Sequence, residues 1–67
     1  MQGVWFEDNG SIVCRWWWNP SSAELQVRRG SQRLIEAVSI SPEILADSAA
    51  LQQVLKSAAL DIARRMG

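Results

Sequence analysis

Three consecutive tryptophans, Trp16-Trp17-Trp18, run directly into Asn19-Pro20. Side chains alternate along a strand, so a strand here sends Trp16 and Trp18 to one side of a sheet and Trp17 to the other. Neither side is then wholly polar. Proline cannot donate to a strand ladder, and Asn19, Ser21 and Ser22 close turns through their own side chains, so the strand is expected to end at this point.

Upstream, Asn9-Gly10 is the strongest hairpin signal in the chain, because a two-residue type I′ turn needs positive φ at both centres. Pairing across it sets Asp8 opposite Ser11, Phe6 opposite Val13 and Trp5 opposite Cys14, with strands over about 3–8 and 11–18. Downstream, Glu24 to Arg29 alternates, with Leu25 and Val27 on one side and Glu24, Gln26 and Arg28 on the other. Gly30-Ser31 suits a second tight turn, and the Leu, Ile and Val content of 33–40 predicts a further strand. The order reads as an antiparallel meander of three to four strands.

Ser41-Pro42-Glu43 has the form of a helix start, with Ser at the N-cap, Pro at the first helical position and Glu near the positive end of the dipole. Asp47-Ser48 offers a second cap. One helix over 42–66 and a helix broken near 47 both fit. At 100° per residue, Leu51, Val54, Leu55, Ala58, Ile62 and Met66 form the stripe to be laid on the sheet, while Gln52, Gln53, Lys56, Ser57 and Arg64 point away. Arg64 and Arg65 complement the dipole in the last turn. The expected fold class is α+β, a meander with one C-terminal helix packed on one face, and the 67 residues 1–67 leave room for a single domain.

A single helix covers one side of such a sheet. Trp5, Ile12, Cys14, Trp16 and Trp18 share the face assigned to the core, although both faces are apolar near the first hairpin. Val4, Phe6, Val13, Arg15 and Trp17 share the face left open. The expected partner-binding residues are Phe6, Val13, Arg15 and Trp17, with Leu60 as an outlying candidate about 180° from Leu51 on the helix. A second copy laid over this aromatic face would add stability to so small a core, so a homodimer is the simplest expectation. A different protein partner would make the chain an adaptor, inhibitor or regulatory factor of bacterial or phage type. Nucleic acid is the alternative partner, through Arg15, Trp17, Arg28, Arg29 and Arg33. Seven Lys and Arg against seven Asp and Glu, with acids interleaved among those arginines, weigh against it.

Catalytic chemistry finds little here. There is no His to activate Cys14, whose strand position suggests burial, and the carboxylates Glu7, Asp8, Glu24 and Glu36 are scattered. Asp8-Asn9-Gly10-Ser11 lacks the further ligands of a calcium loop, and Gly3, Gly10, Gly30 and Gly67 are too isolated to cradle phosphate. A non-enzymatic protein without metal or cofactor is expected. No basic leader, no apolar run of about 20 residues and no disulfide partner for Cys14 lead to a cytoplasmic, non-membrane expectation.

Overall fold

The computed structural model describes residues 1–6, by backbone alone at Trp5 and Phe6, and residues 13–66. Four strands, β1 (Gln2–Phe6), β2 (Val13–Asn19), β3 (Glu24–Arg29) and β4 (Gln32–Ala37), precede two helices, α1 (Pro42–Leu45) and α2 (Ser48–Met66). The strands form one antiparallel sheet in the order β1-β2-β3-β4. The fold is therefore α+β with a meander sheet and a C-terminal helix packed on it. The Asn9-Gly10 turn, with Asp8, Ser11 and Ile12, lies outside the described residues, but the register expected from it holds on either side: Phe6 opposes Val13 and Trp5 opposes Cys14.

Two connections depend on left-handed backbone. Gly30 closes the β3–β4 hairpin at φ 62°, where glycine carries no Cβ penalty. Ala23 ends the β2–β3 turn at φ 54°, a conformation costing an alanine about 1–2 kcal/mol. That turn is secured by Asn19 Oδ1, which accepts the Ser21 N–H at 3.0 Å, and by the Ala23 carbonyl, which accepts the Val38 N–H at 2.9 Å. The latter bond closes the ladder. Strand β4 stops at Ala37 rather than 40 because β3 begins at Glu24 and offers nothing further to pair with, and Val38 and Ile40 turn instead onto the core.

The helical segment is broken near 47. Asp47 Oδ1 accepts the N–H groups of Ala49 and Ala50 at 3.1 and 3.2 Å, capping α2. Ser41 occupies the N-cap position of α1, but its side chain makes no capping bond; its carbonyl receives the N–H groups of Ile44 and Leu45 instead.

The core joins Cys14, Trp16, Trp18, Leu25 and Val27 of the sheet to Leu51, Leu55, Ala59, Ile62 and Ala63 of α2. Compared with the expected stripe, the buried side of α2 is rotated by about 50°, taking 100° per residue. Ala59 and Ala63, both fully buried, have no bulk to hold the helix off a sheet that already carries two indoles. Val54 is consequently only half-buried, and Leu60 is half-buried rather than on the wet side. The C-terminal end of α2 is fastened twice: Arg29 Nη1 donates to the Ala63 carbonyl at 2.8 Å, and Arg65 Nη2 meets Glu36 Oε2 at 2.7 Å. No helix among the described residues is long and apolar enough to cross a membrane.

Gly3 lies directly opposite Trp16, and a Cβ on it would come within 2.9 Å of the indole ring. Gly3→Ala should therefore cost about 1–3 kcal/mol, read as a lower urea midpoint at unchanged slope. An unchanged midpoint would show that Trp16 is not held against this strand.

Candidate functional site

No described element covers the face of the sheet away from α2. On it, Arg15 of β2 opposes Arg28 of β3, and Arg28 opposes Arg33 of β4. Directly opposed residues share a face, so the three side chains form one row across three strands, with Val4 continuing it onto β1. All four are exposed. The adjacent row reads Gln2, Trp17, Gln26 and Ile35, a half-buried indole with a glutamine on each neighbouring strand. Val13 borders the arginine row on its other side and is 47% exposed. Shallow depressions flank the row, one lined by Val4, Val13, Arg15 and Arg28, the other by Trp17, Gln26, Arg28 and Arg33.

Like charges directly opposed on a sheet are destabilising, by roughly 0.2–1 kcal/mol a pair. Little on this face relieves them. Arg28 Nε donates to the Gly30 carbonyl at 3.3 Å, while Arg15 and Arg33 have no carboxylate or carbonyl partner among the described residues. The described carboxylate on this side is Glu24, which opposes Asn19 and Ala37 two rows from the arginines. Glu36 opposes Leu25 on the helix side and is engaged by Arg65. Glu24 and Glu36, which alternate with arginines along the chain, are thus separated from this row in space.

Of the residues expected to bind a partner, Val13, Arg15 and Trp17 come together here. Phe6 pairs with Val13 through its backbone, and its side chain lies outside the described part; Leu60 is on α2, away from this face. Of the residues expected to meet nucleic acid, Arg15, Trp17, Arg28 and Arg33 share the face. Arg29 does not, because its side chain turns under the helix to the Ala63 carbonyl. Sequence reasoning missed Gln2, Gln26 and Ile35 as neighbours of Trp17. The Gly30-Ser31 turn held the signal for Ile35 and Gln26, since a two-residue hairpin fixes which residues oppose.

Cys14 is a free thiol, 2% exposed, beneath the helix. Burial pushes the thiol above its ordinary value, and the positive charge of Arg29 draws it part of the way back. Comparison with protein-family models, with curated proteins and with solved structures finds no match for this chain.

Two outcomes test this description. Arg28→Glu replaces two repulsive cross-strand pairs by two attractive ones, so the variant should be more stable than the parent by about 0.5–2 kcal/mol in urea unfolding; a loss would mean that the row is already neutralised. For Cys14, a folded-state value above the unfolded one means a contribution that is complete below the ordinary thiol value of 9.0 and lost as pH rises through the raised value. Unfolding free energy should accordingly decline across that alkaline range, and the decline should be smaller in Cys14→Ala.

Proposed function

We propose that the chain is a non-enzymatic binding module that works through the open face of its sheet, with single-stranded nucleic acid as its partner. The observation that carries this is the row Arg15, Arg28, Arg33, three guanidinium groups set side by side without matching carboxylates among the described residues, next to Trp17. Cross-strand neighbours stand about 5 Å apart, so the row presents closely spaced donors to a chain of phosphates. The half-buried indole offers a stacking surface for a base, and Gln2 and Gln26 beside it supply amide donors and acceptors for base edges. Single strands suit the site because their bases are free to lie on a flat face.

The zero net charge of the whole chain argues only against long-range attraction. At contact distance the local excess on this face counts, and three phosphate contacts imply modest, salt-sensitive affinity. A second copy stacked face to face finds less support, since it would oppose one guanidinium row with another. A cytoplasmic location belongs to the same proposal and rests on the free thiol in so small a fold.

A protein partner with an acidic surface is the second reading, favoured by Val4, Val13 and Ile35, which are 51%, 47% and 50% exposed around Trp17 and the arginines. Trp and Arg amid aliphatic surface is the composition of protein interfaces. In that case the module acts as an adaptor, inhibitor or regulatory factor.

Anisotropy of a labelled oligothymidylate, titrated at several salt concentrations, separates the two. Binding should weaken with log salt at a slope of about −2 for three phosphates, and Arg28→Ala should reduce that slope by about 0.7. Trp17→Ala should cost about 1–3 kcal/mol through lost stacking. No binding at low salt, or binding indifferent to both substitutions, sinks the nucleic-acid reading and leaves the protein one.

A further inference from the structure

Strand β4 is an edge of the sheet, bonded on one side to β3 alone. Its hairpin turn, Gly30-Ser31, makes Arg29 and Gln32 the closing hydrogen-bonded pair, and the ladder then alternates. The Val38 N–H bond to the Ala23 carbonyl continues that alternation. Gln32, Leu34 and Glu36 therefore spend their backbone groups on β3, whereas the N–H and C=O groups of Arg33, Ile35 and Ala37 point outward. Two of the usual protections of an edge are missing, since the strand has no proline and its register with β3 runs from Gln32 to Ala37 without a bulge; its charges are Arg33 and Glu36, and Glu36 is engaged by Arg65 of α2. Aliphatic side chains stand open on both sides, Leu34 at 38% and Ile35 at 50% exposure.

We propose that β4 pairs antiparallel with β4 of a second copy, centred on Leu34, to give one continuous eight-stranded sheet. A two-fold axis perpendicular to the sheet keeps each face on its own side, so only residues of equal parity meet. Each possible centre has a consequence that the side chains decide. Centred on Arg33, arginine opposes arginine; centred on Glu36, carboxylate opposes carboxylate. Centred on Ile35, each Leu34 lies against a Glu36. Centred on Leu34, Leu34 meets Leu34, Arg33 meets Ile35 and Gln32 meets Glu36, with no like-charge pair. The outward groups of Arg33 and Ile35 then bond to each other across the axis.

This pairing extends the binding face. The row Arg15, Arg28, Arg33 of one copy runs on into Ile35, Gln26 and Trp17 of the second copy, and the reverse holds for the other row. Two arginine rows and two indoles then lie on one surface spanning eight strands, about 34 Å from first to last at the usual strand spacing. The two Arg33 side chains fall on the diagonal, about 7–8 Å apart, where a polyanion touching both copies would favour the dimer. The pairing does not rest on the proposed ligand; its bearing on the binding face does.

The test is mass by light scattering over a concentration series of the full chain, with two kinds of variant. Ile35→Pro removes an outward N–H and none of the bonds to β3, so it should halve the mass while keeping the far-ultraviolet circular dichroism and the cooperative thermal transition. Leu34→Cys should cross-link to a covalent dimer under mild oxidation, since opposed α-carbons in a non-bonded pair lie about 4.5 Å apart, and Glu36→Cys should link far less. A wild type that is monomeric at every concentration overturns the pairing and leaves the edge to a strand from a different chain. A dimer that survives in folded Ile35→Pro, or links better through position 36 than 34, overturns it also. Should Ile35→Pro fail to fold, the contrast between the two cysteines decides. A monomer that binds oligothymidylate defeats the pairing and spares the proposed function; a dimer that ignores it does the opposite.

Discussion

The indole of Trp16 set against the bare α-carbon of Gly3 is the contact around which the sheet is arranged. Trp16 is 2% exposed although it is one of the largest side chains in the chain, and this burial needs a neighbouring strand with nothing projecting toward the ring. The helix meets the same requirement from above with alanines, Ala59 and Ala63. Bulky residues from the sheet and small ones from the strand beside it and the helix over it interlock, which is how an interior reaches close packing without strained rotamers. Because Trp16 fixes which side of β2 is inside, it also fixes that Arg15 and Trp17 are outside.

That outward face holds a tension that the rest of the fold lacks. Elsewhere charges are placed to advantage: Asp47 caps α2, Arg29 takes a terminal carbonyl and Arg65 meets Glu36. The row of three opposed arginines contributes repulsion instead. Proteins commonly hold locally unfavourable arrangements where a ligand relieves them, and stability and function then pull in opposite directions at the same residues.

Much of this was legible in the residues, for physical reasons that differ from element to element. The β1–β2 register and the faces of β2 and β3 follow from strict period-two alternation, which has no freedom once a turn is placed. The break at Asp47 was visible as a cap but not decidable, since propensity alone does not choose between a continuous and an interrupted helix. The orientation of α2 was misjudged because an alanine registers as weakly apolar in a periodicity reading, whereas in packing its small size draws the helix inward. Arg15, Arg28 and Arg33 were named together as candidates, but their alignment into one row was not legible because it needs two registers at once. The one between β3 and β4 was available from Gly30-Ser31, but the one between β2 and β3 passes through Ala23 in left-handed backbone, which no residue preference would suggest.

Adjacent residues on β3 have opposite duties: Arg28 lies in the outer row while Arg29 reaches under the helix to Ala63. Deleting or inserting one residue within this strand would exchange them, and would bring Gln26 inward in place of Leu25 or Val27. Such a frame change damages the core, the fastening of α2 and the outer row together. Variation in β3 should therefore be confined to substitutions, with changes of length displaced to the turns at either end.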